Sequence, residues 1–138
     1  MPRFVILRHE CPADRPRRSH WDLMFEADGR LWTWALRDSP DSPSQPAERL
    51  ADHRIDFLEF EGAIPGDRGS VVRWDRGTYE IEGSRRTLSE CIEVVLRGER
   101  LRGRMVLEAV AESSPRSRDE MEGAKSDAYC WRVEFNSV

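Results

Sequence analysis

Three side chains near the start of the sequence are of the right types to share one ion: His9, His20 and Asp22. His20 and Asp22 stand at i and i+2 in a stretch of alternating polarity, so on an extended strand both project from one face, about 6–7 Å apart along the backbone. His9 closes the preceding apolar run and completes a three-ligand set if the two strands pair. Two imidazoles and one carboxylate leave positions open for water or a substrate oxygen. Such a set suits Mn²⁺, Zn²⁺ or Fe²⁺, and the residue types alone do not choose among them. The competing reading is a solvated or capping histidine at a strand end. Cys11, two residues past His9, either replaces a ligand or stands by. His53 lies in Arg49-Leu-Ala-Asp-His-Arg54. An imidazole among arginines suits contact with a phosphate oxygen or proton donation to a leaving group; the plainer alternative is a charged surface segment.

The elements that must position these groups read mostly as strands, because the hydrophobic period is two. Phe4 to His9 is a largely apolar strand. In His20–Glu26, Trp21, Leu23 and Phe25 share one face, and His20, Asp22, Met24 and Glu26 the other. Asp28-Gly29 is a hairpin signal, and Arg30–Leu36 the returning strand, whose Trp32 and Trp34 read as core. Residues 38–47 form a Pro/Ser loop unable to hold a ladder. Ala47–His53 is expected as one or two helical turns and Ile55–Phe60 as extended, followed by a turn over Gly62–Gly66. Ser70–Trp74 and Thr78–Glu82 read as a hairpin around Asp75-Arg-Gly77. Cys91–Leu96 and Leu101–Val110 form another hairpin across Gly98-Glu-Arg100. Residues 111–127 read as a mobile loop, and Ala128–Phe135 as the closing strand. About eight short strands with one or two short helical segments predict a mainly β chain, a compact single-domain β-barrel over 1–138.

Composition narrows the class. The chain has 138 residues, a net charge of -4 and 38% hydrophobic residues, five of them Trp and five Phe, a balance that favours a packed core over disorder. No run approaches the roughly 18 apolar residues of a membrane helix, and the N-terminal stretch turns charged too soon for a signal peptide. Three cysteines without C-x-x-C spacing argue against a disulfide framework or a zinc ribbon. The expectation is a cytoplasmic protein without membrane contact. All basic residues but Lys125 are Arg, which fits either a GC-rich genome or phosphate recognition. A mildly acidic chain is no general nucleic-acid coat, so any such site is a local patch. Arg15, Arg17 and Arg18, just before His20, supply the best one.

His20-Trp-Asp-Leu-Met-Phe-Glu26, Leu31-Trp-Thr-Trp-Ala-Leu36, Arg49-Leu-Ala and His53-Arg-Ile-Asp-Phe-Leu-Glu-Phe-Glu-Gly-Ala-Ile-Pro65, with Gly69 and Trp74-Asp-Arg-Gly77 following, resemble the 3′-phosphoesterase domain of bacterial DNA ligase D. The resemblance runs from about residue 4 to residue 82. It implies a compact β-barrel with a surface groove that trims DNA 3′ ends, removing a terminal ribonucleoside and then the 3′-phosphate, with Mn²⁺ preferred. It places the metal on His9, His20 and Asp22, a phosphate-contacting histidine on His53 and an arginine on Arg49, although the interval from Arg49 to His53 is shorter than the family pattern. Three positions depart from it. Met24 stands where the family has a phosphate-binding arginine. Asp38, or Arg37 beside it, stands where it has a lysine, and Phe57 where it has a tyrosine. Arg15, Arg17, Arg18 and Arg37 are the candidates to compensate.

The leading expectation is therefore a metal-dependent phosphoesterase, with Mn or another divalent ion such as Zn, acting on DNA or RNA/DNA 3′ ends, its ligase and polymerase partners residing on other chains. The alternative is a catalytically weak metal-bearing module that binds nucleic-acid ends or a repair partner. A facial-triad Fe²⁺ oxygenase ranks below both, because that ligand set usually comes in a longer barrel sequence.

Overall fold

The computed structural model describes residues 2–14, 18–82, 91–110 and 131–137. Nine strands appear in the order β1 (Arg3–Glu10), β2 (His20–Ala27), β3 (Arg30–Leu36), β4 (Ser44–Arg54), β5 (Gly62–Ala63), β6 (Ser70–Glu82), β7 (Cys91–Gly98), β8 (Arg102–Ala109) and β9 (Trp131–Ser137), with a 3-10 turn over Ile55–Leu58 between β4 and β5. Every pairing is antiparallel. The sheet runs β1-β2-β3-β4-β9-β8-β7-β6-β5, and a further β1–β6 ladder closes it into a ring. Closure gives β1 a partner on both sides, so neither flank of it presents an open edge. The mainly β class and the barrel-like closure are as the sequence predicts.

The two faces of the sheet bury two separate apolar clusters. Inside the ring, Phe4, Ile6, Leu23, Phe25, Trp34, Leu36, Tyr79 and residues of β7–β9 pack together. Phe25 meets Trp34 and Tyr79 edge-on, and Trp34 meets Trp131 edge-on at 5.3 Å. Trp34 is thus core, and Trp32 packs against it half-buried. The Tyr79 hydroxyl donates to the Glu26 carbonyl at 2.7 Å, and burial, with the charges of Glu26 and Asp28 adding, pushes this phenol up to about 12. On the outer face Val5, Leu7, Met24, Leu31, Leu58 and Val71 form the second cluster, covered by Ile55, Phe57, Phe60 and Ile64.

Four expectations need correction. Ala47–His53 is strand, not helix. It belongs to β4, where residues 47–54 pair with β3 and residues 44–47 with β9; the ladder to β3 outweighs the weak local helix preference. The Pro/Ser loop is correspondingly shorter. Pro46 joins the ladder to β9 at a position that has no β3 partner, so its missing N–H costs no bond there. Ile55–Leu58 is a 3-10 turn rather than extended chain. Its Leu58 is only 6% exposed, and burying it against β1 requires the chain to turn back over the sheet.

The fourth correction concerns residues 70–82, which form one 13-residue strand rather than a hairpin. Asp75-Arg-Gly77 carries turn-type residues for other reasons. Asp75 accepts backbone N–H groups from Arg76, Glu99, Arg100 and Leu101 at 2.8–2.9 Å, which organises the neighbouring β7–β8 turn. Gly77 lies so close to β7 that a Cβ there would collide with the Arg97 carbonyl. The Asp28-Gly29 turn is as expected, with φ of 53° and 77°, the pair of positive values a tight hairpin needs. The expected loop 111–127 and residues 128–130 of the expected last strand lie outside the described residues. Among the described residues, no helix is long and apolar enough to cross a membrane.

Candidate metal centre

The β1–β2 register decides the site. His9 pairs directly with His20, and Leu7 with Asp22, on the outer face of the ring. The His9 and His20 rings lie 4.8 Å apart between centroids. His9 Nδ1 is 3.3 Å from Asp22 Oδ2, and His20 Nε2 is 3.0 Å from Asp22 Oδ1, with side-chain exposures of 15% for His9 and 5% for both His20 and Asp22. Sequence reasoning placed these three side chains in one site, and the structure brings them together.

The second ring nitrogen of each histidine fixes its tautomer. His9 Nε2 lies 2.9 Å from the Arg68 carbonyl, and His20 Nδ1 lies 2.8 Å from the Arg18 carbonyl. A carbonyl only accepts, so both of these nitrogens carry the proton. In the neutral ring the lone pairs are then on His9 Nδ1 and His20 Nε2, facing Asp22. Burial alone would raise the Asp22 carboxyl. The nearby ring nitrogens and charge of His20 and His9 together outweigh it and hold Asp22 well below the usual carboxylate range. With a cation in place of the histidine protons, an ionised carboxylate and two imidazole lone pairs would converge on one point. Asp22 Oδ1 is buried with no well-formed hydrogen bond among the described residues, its neighbour being His20 Nε2 at 3.0 Å. One cation at that point would take a donor from all three groups. N and O ligands at the usual 2.0–2.2 Å from a metal stand roughly 3 Å apart when adjacent on it, matching the spacing seen. The donor set fits a divalent ion.

Other residues are placed as follows. Cys11 comes into the cluster: its Sγ and a ring nitrogen each of His9 and His20 lie within 4.8 Å of one another. Arg18 is exposed at the rim, with its carbonyl on His20. Arg37 is exposed one residue beyond β3, where the Trp21–Leu36 register carried on would set it opposite His20. Arg15 and Arg17 lie outside the described residues.

His53 and Arg49 are not drawn to this point. A bulge in β4 opposite Trp32 separates their faces. Arg49 pairs with Trp34 on the inner face, its guanidinium 4.5 Å above that ring and donating to the Thr33 and Leu50 carbonyls, with Asp52 at 3.4 Å. Burial lowers this guanidinium's pKa and Asp52 partly restores it. His53 pairs with Leu31 on the outer face, four residues along and two strands across from Asp22, about 16 Å by ordinary strand spacing. Its Nδ1 contacts the Ala51 carbonyl, and its ring meets Phe57 edge-on at 5.5 Å.

Met24 continues the face of His20 and Asp22 but is 1% exposed beneath the 3-10 turn, in the cluster that Phe57 covers. Asp38 is exposed, its backbone N–H donating to Gln45. Sequence reasoning missed the carbonyls of Arg18 and Arg68. Main-chain acceptors leave no residue-type signal, and the turn over 65–69 showed only its Pro and Gly residues.

A family model for the DNA ligase D 3′-phosphoesterase domain matches residues 12–109. The chain belongs to the DNA ligase D 3′-phosphoesterase domain family. The matched span holds His20, Asp22 and His53; His9 and Cys11 precede it. The chain is 40% identical over 85 residues, 57% of its length, to the multifunctional non-homologous end joining DNA repair protein LigD of Mycobacterium tuberculosis. It is 32% identical over 110 residues, 74% of its length, to the LigD of Pseudomonas aeruginosa. It is 39% identical over 88 residues, 58% of its length, to that of Mycolicibacterium smegmatis. The aligned region amounts to 10–12% of those proteins, so the chain spans about a tenth of the relatives it matches.

Proposed function

We propose that this phosphoesterase-family chain is a metal-dependent enzyme that heals 3′ ends of DNA or RNA/DNA, removing a terminal phosphate or ribonucleoside before end joining. The observation that carries this reading is the buried Asp22 carboxylate within 3.3 Å of two histidines whose other ring nitrogens are tied to carbonyls. His9, His20 and Asp22 would hold a divalent cation, Mn²⁺ as the resemblance implies or Zn²⁺. When bound, that ion supplies positive charge against a phosphate oxygen and acidifies a water. The chain's own residues do the rest. The Arg18 and Arg68 carbonyls keep both rings in one tautomer and orientation. Arg18 and Arg37 at the rim offer guanidinium donors to the terminal phosphate, with Arg15 and Arg17 from the same segment assisting. His53 and Arg49 were the expected catalytic pair. In this reading His53 contacts a backbone phosphate further along the strand, since a DNA chain leading down the outer face passes it. Arg49 acts by bracing the bulge that sets His53 outward.

The site of action would be cytoplasmic. Met24 and Phe57 favour a second reading, an end-binding module with little turnover, because both lie in an apolar cluster that offers phosphate nothing.

A primer-template bearing a 3′-phosphate or a single 3′-ribonucleotide, incubated with Mn²⁺ or Zn²⁺, tests the two readings. End trimming by the natural chain and its loss in Asp22→Ala support the enzyme. Retained trimming in Asp22→Ala overturns the assignment, and binding of the end without conversion selects the second reading.

A further inference from the structure

We propose that Cys11 is a fourth protein ligand of the ion held by His9, His20 and Asp22, making the centre selective for a thiophilic cation such as Zn²⁺ over Mn²⁺. The inference rests on the metal reading above and adds the identity of the ion. Its first support is proximity: the thiol sulfur and both imidazoles already lie within 4.8 Å of one another. A cation with metal–sulfur and metal–nitrogen distances of about 2.3 and 2.1 Å would draw the sulfur in by roughly 1 Å, a shift within reach of a side-chain rotation.

The backbone beneath Cys11 is held from two sides. Its N–H donates to Ser19 Oγ at 2.9 Å, across the segment that leads into His20. On the other side the turn over 65–69 presses against it. A Cβ on Gly69 would overlap the Glu10 carbonyl and come within 3.2 Å of the Cys11 Cα. The same turn supplies the Arg68 carbonyl that orients His9. One turn therefore sets a histidine ligand and packs against the cysteine backbone.

A second support is that Asp22, buried beside the same two histidines with its Oδ1 3.0 Å from His20 Nε2 and no well-formed hydrogen bond there, stands next to this His–Cys–His group as a further donor. Two nitrogens, one carboxylate oxygen and one sulfur make a four-donor set suited to tetrahedral Zn²⁺. Mn²⁺ favours oxygen donors and gains little from sulfur. Zinc also expands to five ligands during reaction, so four protein donors still admit a phosphate oxygen.

Cobalt(II) titration of the metal-free full chain tests this by absorption. Natural chain loaded with Co²⁺ should show visible d–d bands together with a near-ultraviolet sulfur-to-cobalt charge-transfer band. The double variant Cys91→Ser/Cys130→Ser, in which Cys11 is the remaining thiol, should keep both. Cys11→Ser should keep the visible bands and lose the charge-transfer band, and its preference for Zn²⁺ over Mn²⁺ in competition should fall by roughly tenfold or more. Visible bands without charge transfer in the natural chain overturn the role of Cys11 and leave the metal reading standing. Absence of any cobalt band overturns both.

Discussion

Two stretches of one strand face have opposite characters. At the start of β2, His20 and Asp22 converge with His9 on one buried point, the carboxylate lying within 3.3 Å of a ring nitrogen of each histidine. Two residues on, Met24 lies in a dry apolar cluster beneath Leu58 and Phe57. Pleating alone would make these neighbours equivalent, since all three point outward. What separates them is the neighbour: Met24 packs in the cluster of Leu58 and Phe57, whereas His20 and Asp22, also buried, meet each other and His9. The lesson is that the three groups proposed to hold the metal and the positions where the resemblance implies phosphate ligands have independent fates. The first are bound to one another by geometry. Met24 and Phe57, which replace an arginine and a tyrosine, now share one hydrophobic cluster.

Four substitutions break or sharpen this contrast. The largest effect is expected at the polar end. Asp22→Ala should lower metal-dependent turnover on a 3′-phosphorylated oligonucleotide by more than the roughly 10–100-fold typical of an outer-shell change. In EDTA this variant should melt below the natural chain, because His20 and His9 lose the carboxylate that they hold ionised. Next is Met24→Arg, which restores the family's charge inside the apolar cluster. Without a partner it should cost about 3–5 kcal/mol and lower Tm by roughly 10 °C or more. A neutral effect with tighter phosphate binding would show instead that the cover opens.

His53→Ala probes the far end of the face. Loss of one phosphate hydrogen bond, about 0.5–1.5 kcal/mol, should raise KM by roughly 2–12-fold with kcat little changed; a collapse of kcat would place His53 at the reacting phosphate. The smallest effect belongs to Phe57→Tyr. Its ring is half-buried against His53 and Phe60, so a hydroxyl at the rim should move stability by less than about 1 kcal/mol in thermal melts and leave turnover as it was. A gain in turnover would show that the tyrosine position reaches substrate.

Much of the candidate site was legible before the fold. His20-Trp-Asp put two donors on one face through the period of two alone, and the apolar run ending in His9 supplied a neighbour. Arg49 was not legible in the same way. Its distance from His53 in sequence says nothing of faces once a bulge intervenes, and the bulge inverts the alternation that a local pattern assumes. Asp75-Arg-Gly77 misled for a related reason. Asp and Gly favour turns, yet here one caps a turn in a different hairpin and the other yields space to an adjacent backbone. Both uses depend on partners 20 or more residues away.

By itself the sequence determined the β class, the Asp28-Gly29 hairpin, the inward face of Trp34 and the outward face shared by His20 and Asp22, together with the family pattern. These follow from alternation and from turn residues with strict dihedral needs, which are properties of neighbouring residues. Tertiary structure decided that His9 stands directly opposite His20, that Cys11 comes within reach of both and that two carbonyls fix their tautomers. It also decided that Met24 is covered while Asp22 stays beside the open end of the strand, and that Arg49 turns inward. Register, bulges and cover arise from contacts between distant segments. A one-residue change in any of them exchanges the faces of a strand, which no local pattern can detect.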